Sequence, residues 1–253
     1  FVSRRRPPGN FPSSHAVSVL GMIPARSGSK RLPGKNLAPL AGLPLIAHTC
    51  LAARHSGVFS ALYVNTDSPQ IAAVAAEHGV PCPVLRPPEL ARDETPTRDA
   101  VLFLLNALAA RGETYSTVVL LQPTSPLRTA EDIVEALRLF RASAPCRVVS
   151  VSPVVPRDWL GDVLPDGTWC RLPGSGLAHR LNGALYVYRT DDLFSGRFAA
   201  RTVGYVMPPD RGVDIDTPLD LAYAEFLLAR RRGHNGAARA ATAQEAPGAG
   251  GPR

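Results

Sequence analysis

The segment Ala25–Asn36, ARSGSKRLPGKN, gathers Arg26, Lys30, Arg31 and Lys35 within ten residues and spaces them with Gly28 and Gly34. Binding a polyphosphate needs cations together with backbone N–H groups that reach its oxygens unobstructed. Glycine permits that close approach and the turns it requires, and a guanidinium such as that of Arg26 forks onto phosphate oxygens. The segment contains neither G-x-x-x-x-G-K-[ST] nor G-x-G-x-x-G, so it is neither a Walker loop nor a dinucleotide fingerprint. The plain alternative is a solvated basic loop; a place at the carboxyl end of a buried strand favours a ligand site. A second pair, Asp214 and Asp216, stands two residues apart. In extended backbone, i and i+2 face the same way. Two carboxylates on one face suit a hard cation such as Mg²⁺ shared with phosphate oxygens. Asp216 has a competing role, because it precedes Thr217-Pro218 and also reads as a helix cap. Gln122 precedes Pro123 at the mouth of an apolar strand, either as a ligand contact or as an ordinary turn residue. Arg128 suits an anion, but beside a helix start it also reads as a partner for Glu131 or Asp132.

The elements that must position these residues alternate between strand and helix. Val17–Ile23 is apolar without polar alternation, the pattern of a strand buried on both faces. Helix over Leu45–Ala53 ends at Gly57, and strand follows at Ala61–Asn65. Ser68-Pro69 opens a helix that closes at Gly79. A shorter strand is expected over Val80–Leu85, a helix over Thr97–Ala110 and a strand over Thr117–Leu121. Thr129 caps the next helix with Asp132 in the capping-box position, and Val148–Val151 is again strand. This order predicts an α/β fold: a mostly parallel, Rossmann-like sheet with helices on both faces and ligands at the strands' carboxyl ends. Pro153–Leu181 is rich in Pro and Gly without a clean period and reads as a small excursion. Strands at Ala184–Tyr188 and Thr202–Met207 and a helix from Thr217 to Arg230 complete the domain.

Of the formal net charge of +7, the ends carry most: residues 1–16 hold +3 and residues 232–253 hold +2, leaving +2 for 17–231. A folded nucleic-acid binder carries its basic stripe on the domain itself, so nucleic acid is not an expected partner. No run of 18 apolar residues appears, so no transmembrane helix is expected. Both ends read as disordered: 1–16 is Arg- and Pro-rich, and of the 22 residues in 232–253, 14 are Ala, Gly or Pro. Three arginines before Ala16–Ile23 imitate a signal peptide, but the apolar stretch runs straight into the cationic loop and reads as a first strand. The domain therefore spans 17–231, with the excursion at about 153–181. Cys50, Cys82, Cys146 and Cys170 form no C-x-x-C pair and read as small core residues in a reducing, cytoplasmic protein. His48, His55 and His78, on expected helices without ligands at metal spacing, read as structural or exposed.

Four segments, in order, resemble the cytidylyltransferases that activate sialic acids: IPARSGSKRLPGKN (Ile23–Asn36), RPPELARDETPT (Arg86–Thr97), LLQPTSPLR (Leu120–Arg128), and NGALYVY (Asn182–Tyr188) followed by DIDTPLD (Asp214–Asp220). The resemblance covers about 17–230 and extends to the enzymes for pseudaminic and legionaminic acids. It implies a reaction in which CTP and a nine-carbon keto-sugar acid yield the CMP-sugar and pyrophosphate. By the same resemblance, Arg26, Ser29, Lys30, Lys35 and Asn36 fall on the triphosphate loop, and Arg86 and Thr97 where the nucleotide is held. Gln122 falls between nucleotide and sugar, Asn182 and Tyr186 on the wall facing the sugar, and Asp214 and Asp216 on the carboxylates for Mg²⁺. The expected catalytic set is Arg26, Lys30 and Asp214, and the expected assembly is a homodimer. Read from the strand alone, core packing is the role for at least one of Tyr186 and Tyr188. Over Val154–Leu181 the likeness thins, leaving Arg157, Arg171 and Arg180 equally available for the acceptor's carboxylate. Other acceptors stay open: a non-sugar acid or phosphonate, a sugar 1-phosphate in a different nucleotidyltransferase, or none in a binding protein that keeps the fold.

Overall fold

The computed structural model describes residues 18–143, 147–198 and 201–244, with side chains as far as Arg232. In chain order the elements are β1 (Val19–Pro24), β2 (Pro39–Leu40), β3 (Leu43–Pro44), α1 (Leu45–Ser56), β4 (Ala61–Asn65), α2 (Pro69–Glu77), α3 (Thr97–Ala109), β5 (Thr117–Leu121) and α4 (Ala130–Ala142). Then come β6 (Arg147–Pro156), β7 (Gly161–Val163), β8 (Trp169–Arg171), β9 (Leu177–Arg189), α5 (Thr190–Ser195), β10 (Thr202–Val206) and α6 (Pro218–Gln244). Residues 1–17, 245–253 and Cys146, on which expectations also fell, lie outside the described residues.

Six strands form the central sheet in the order β10-β6-β9-β5-β1-β4. All pairings are parallel except the two made by β9, which runs antiparallel between β5 and β6. The burial of β1 on both faces explains its lack of polar alternation. Val19 and Ile23 pack with α1, α2 and α4 on one side, whereas Leu20 and Met22 pack with α3 and α5 on the other. The sheet is thus covered on both faces, as the alternation of elements predicts. A third apolar group, including Leu40, Leu127, Ile215 and Leu227, seats α6 beside the loops that follow β1 and β5.

Local signals account for most boundaries. Gly57 ends α1 in a left-handed conformation, φ 64°. Ser68 caps α2 by accepting from the Ile71 amide at 3.3 Å. At α4, Thr129 Oγ1 accepts from the Asp132 amide at 3.3 Å, and Asp132 Oδ2 accepts from the Thr129 amide at 2.9 Å. Thr129→Ala is expected to cost about 1 kcal/mol of stability, read as a lower urea midpoint at unchanged slope. An unmoved midpoint would show that this box contributes nothing.

Four expectations are corrected. No strand forms over Val80–Leu85. The Pro81 carbonyl accepts from the Val64 amide at 3.0 Å, but Pro81 and Pro83 have no N–H with which to continue a ladder. The excursion is more regular than its composition suggests: β6 runs on to Pro156, β9 begins at Leu177, and β7 and β8 form a hairpin between them. Its strand pairing shifts register between Pro153 and Pro156, where proline interrupts the ladder and blurs the sequence period. Helix α6 continues past Arg230 to Gln244, through Ala237, Ala238, Ala240, Ala241 and Ala243, residues of the highest helix propensity. Cys170 is exposed on β8 rather than part of a core, whereas Cys50 is buried.

Candidate active site

The crossover from β1 leads through α1 to β4, on one side of the sheet order, and that from β5 leads through α4 to β6, on the other. The carboxyl ends of β1 and β5 therefore flank a topological switch point, where connecting loops diverge and leave a crevice. The crevice is a cleft of about 390 Å³. Its walls include Arg26, Ser29, Lys35, Asn36, Arg86, Thr97, Gln122, Asp214 and Asp216, which the chain scatters over nearly its whole length.

The cationic loop keeps its shape through tethers at both ends. Asn36, 6% exposed, donates from Nδ2 to the Arg26 carbonyl at 2.9 Å, closing the loop on itself. The Ser27 amide and hydroxyl both donate to Asp67, from the loop after β4, the amide at 2.9 Å. Gly34 takes φ 66°, a left-handed conformation that costs glycine nothing and lets the chain turn into Lys35. The four cations divide into two pairs. Arg26 and Lys30 both bind Asp93, the latter at 2.6 Å. Arg31 and Lys35 both bind Asp216, each at 2.9 Å, and Lys35 Nζ also donates to the Ile215 carbonyl at 2.8 Å. The basic loop is therefore not free in solvent: acids from two distant segments hold its cations.

The two carboxylates opposite the loop differ in environment. Burial raises the pKa of Asp214, Asp216 beside it adds to the rise, and Thr124, Lys35 and Arg180 oppose it. A hydrogen bond from Lys35 lowers that of Asp216, with burial opposing. Asp214 Oδ1 is buried without a hydrogen-bond partner. Such an orphaned carboxylate oxygen is costly, and a divalent cation would satisfy it. The capping alternative for Asp216 does not hold. Thr217 Oγ1 accepts from the Asp220 amide at 3.3 Å, and Asp220 Oδ2 accepts from the Asp216 and Thr217 amides at 3.1 and 2.8 Å. Thr217 thus caps α6 with Asp220 as its reciprocal partner, which leaves the Asp216 carboxylate to the loop cations.

Gln122 stands at the end of β5 between two spaces. On its far side is a second cavity of about 250 Å³, lined by Thr97, Val101, Leu120, Tyr186, Tyr188 and Phe198 among others. Tyr186 and Tyr188 stack there with ring centres 6.1 Å apart and planes 8° from parallel. Both rings also pack against the α3-side core, so packing and cavity lining coincide. Gly183, at φ 75°, passes close to Gln122 and Asp214; a Cβ there would lie 3.6 Å from Gln122 Oε1 and 3.8 Å from Asp214 Oδ2.

Three expected site residues sit differently from what their spacing suggests. Asn182 is 1% exposed, and its amide is engaged with Ser150, Ser152 and the Ala184 amide. It lines neither cavity, because the β6–β9 pairing turns it inward. Arg86 reaches the cleft wall, yet its Nε donates to Asn65 Oδ1 at 2.7 Å and its Nη2 to the Asn65 carbonyl at 2.5 Å. It thereby braces the end of β4. Lys30 stands at the rim, its side chain 82% exposed, and joins the site only through Asp93. Sequence reading missed Asp93 itself, together with Asp67, Thr124 and Gly183. Asp93 was within reach of it, since it lies inside RPPELARDETPT, but an acid facing an anion site offers no local signal. Arg128 is 2% exposed and clamps the Gln122 and Ala184 carbonyls at 3.2 and 2.6 Å, so it supports β5 and β9 from within. His48 and His78 bind the Leu40 and Val74 carbonyls at 2.9 Å, structural roles both.

A doubly covered α/β sheet with a cationic loop after its first strand and a carboxylate pair across the crevice defines a nucleotidyltransferase. A family model described as "Cytidylyltransferase" matches residues 20–152, and the chain belongs to that family. It is 35% identical over 225 residues to a CMP-N,N'-diacetyllegionaminic acid synthase of Legionella pneumophila, covering 84% of this chain and 97% of that protein. It is 34% identical over 216 residues to an N-acylneuraminate cytidylyltransferase of Streptococcus agalactiae, covering 80% of this chain but only 51% of that protein. The fold is similar to that of a CMP:2-keto-3-deoxy-manno-octonic acid synthetase solved with CTP, at TM-score 0.63 and 19% identity, over 85% of this chain and 99% of that one.

Proposed function

We propose that this chain transfers CMP from CTP to the anomeric hydroxyl of a sialic-acid-like, nine-carbon keto-sugar acid and releases pyrophosphate. The observation that carries the reading is the meeting of the cationic loop with Asp214 and Asp216 in one cleft at the switch point. Names borne by its relatives, for legionaminic and N-acylneuraminic acids, support the class of acceptor. The sugar hydroxyl attacks the α-phosphorus as pyrophosphate departs, a transfer governed by positioning and charge neutralisation rather than by covalent catalysis. Arg26 and Lys30 stabilise the charge that gathers on the departing pyrophosphate. Ser29, Lys35 and Asn36 hold the loop against the triphosphate. Thr97 and Gln122, which border both cavities, separate nucleotide from acceptor, and Tyr186 forms the acceptor wall.

Asp214 and Asp216 would hold Mg²⁺, and the orphaned Asp214 Oδ1 fits that role. Magnesium prefers one or two carboxylates with substrate phosphates to an all-protein cage; among the described residues no cluster of three or more potential ligands occurs. The bound ion supplies charge neutralisation on phosphate oxygens. No helix among the described residues is long and apolar enough to cross a membrane. Free Cys50, Cys82 and Cys170 suit a reducing cytoplasm. The β6–β9 arm exposes Trp159, Val163, Leu177 and Leu181, an apolar surface that suits a homodimer.

The test is pyrophosphate release from CTP and Mg²⁺ with a panel of keto-sugar acids. Turnover with at least one of them is expected, and none with sugar 1-phosphates. CTP is expected to exceed UTP by about two orders of magnitude or more in kcat/KM, because a site that reads the cytosine amino group leaves its partner unpaired against uracil. Comparable use of UTP or dTTP in the same assay would move the protein to the sugar 1-phosphate enzymes.

A further inference from the structure

The Arg26–Asp93–Lys30 cluster combines features that the transfer reaction alone does not require. Asp93 belongs to the segment between α2 and α3, far in sequence from the cationic loop. That segment is shaped by the Thr95 amide, which donates to the Arg92 carbonyl at 3.2 Å, and by the Thr95 hydroxyl, which donates to the Glu89 carbonyl at 3.0 Å. From it the carboxylate reaches the loop and assigns one oxygen to each cation: Oδ1 to Arg26 and Oδ2 to Lys30. A phosphate group would divide its oxygens in the same way. Asp93 and Arg26 both line the cleft, so the pairing occurs where a polyphosphate would lie.

We propose that Asp93 is an internal counter-anion of the phosphate loop: it holds Arg26 and Lys30 in place in the free enzyme and competes with CTP and pyrophosphate for them. The proposal rests on the reading of this cleft as the CTP site. Two physical arguments support it. First, the side chains of Lys30 and Asp93 are 82% and 33% exposed, so water screens the pair, and such pairs are worth little. A ligand with several negative charges therefore displaces the carboxylate easily. Lys35 contrasts with this. Its side chain is 12% exposed and bonded to both Asp216 and the Ile215 carbonyl, so it stays anchored. Second, pyrophosphate must leave after transfer, and a tethered carboxylate at high local concentration recaptures the cations as it departs. Asp93 thereby sets the affinity for both triphosphate and product without touching the reacting atoms.

The decisive measurement is calorimetric binding of inorganic pyrophosphate, without acceptor, in wild type, Asp93→Asn and Asp93→Ala, with and without Mg²⁺. Loss of one negative charge beside the two cations is expected to tighten pyrophosphate about threefold to tenfold in either variant. The gain should shrink as salt rises from about 0.05 to about 0.5 M, over which the Debye length falls about threefold. The KM for CTP and the inhibition constant for pyrophosphate are expected to fall together. Wild-type binding with equal or weaker binding by both variants overturns the role of Asp93 alone. Weaker binding confined to the Mg²⁺ condition also overturns it, by making Asp93 a metal ligand. Absence of pyrophosphate binding in wild type overturns the phosphate-site reading and this proposal with it.

Discussion

Asp214→Asn is expected to lower kcat/KM by about two orders of magnitude or more and to raise the Mg²⁺ requirement. The exchange keeps size and shape but removes charge. Asp214 is the carboxylate whose Oδ1 is buried without a partner, and burial already raises its pKa. A neutral amide in that position no longer carries the desolvation cost of a carboxylate, so the melting temperature should change little. Asp216→Asn should also impair turnover, through its contacts with Arg31 and Lys35. Its effect cannot arise from uncapping α6, because Asp220 and Thr217 satisfy that terminus. Loss of activity with an unchanged melt supports the carboxylate pair. Full activity and unchanged Mg²⁺ dependence in Asp214→Asn would remove this residue from the mechanism.

A comparable loss, about two orders of magnitude in kcat/KM, is expected for Arg26→Ala and for Lys30→Ala. Neither side chain is buried in a core: they are 38% and 82% exposed, so truncation leaves no cavity and should not unfold the protein. The lost function is stabilisation of charge on the departing pyrophosphate, which is larger in the transition state than in the ground state. The change should therefore appear in kcat as well as in KM. Near-normal turnover in a well-folded variant would assign the loop to shape rather than to chemistry. If Lys30→Ala proves much milder than Arg26→Ala, its rim position is the reason.

How much of this was legible in advance differs between elements. The strands Ala61–Asn65 and Thr117–Leu121 match the structure residue for residue, because short runs rich in apolar and β-branched residues between turn signals mark strands. The Thr129–Asp132 box and the Ser68 cap are local hydrogen bonds between near neighbours, so local sequence specifies them. Val80–Leu85 misled because apolar composition says nothing about whether a ladder's N–H groups exist. The arm over 153–181 misled in the opposite direction: irregular pairing hides the period of two on which strand reading depends.

The site divides along the same line. Residue types and short spacings marked the cationic loop and Asp214 as candidates, whereas Asp216 and Gln122 stayed open between ligand contact and cap or turn until the family resemblance assigned them roles. Distance in space is not written in contiguous segments. Only the tertiary structure decided that Asp93 and Asp216 each take two of the four loop cations, that Thr217 with Asp220 rather than Asp216 caps α6, and that Asn182 turns inward to Ser150 and Ser152. Each of these outcomes depends on which partners the folded backbone brings within hydrogen-bonding reach of a polar group. The sequence by itself determined the cationic loop and the carboxylates that the cleft brings together; the packing of β1, β5 and β9 determined which of those groups face one another and added Asp93 and Thr124 to its wall.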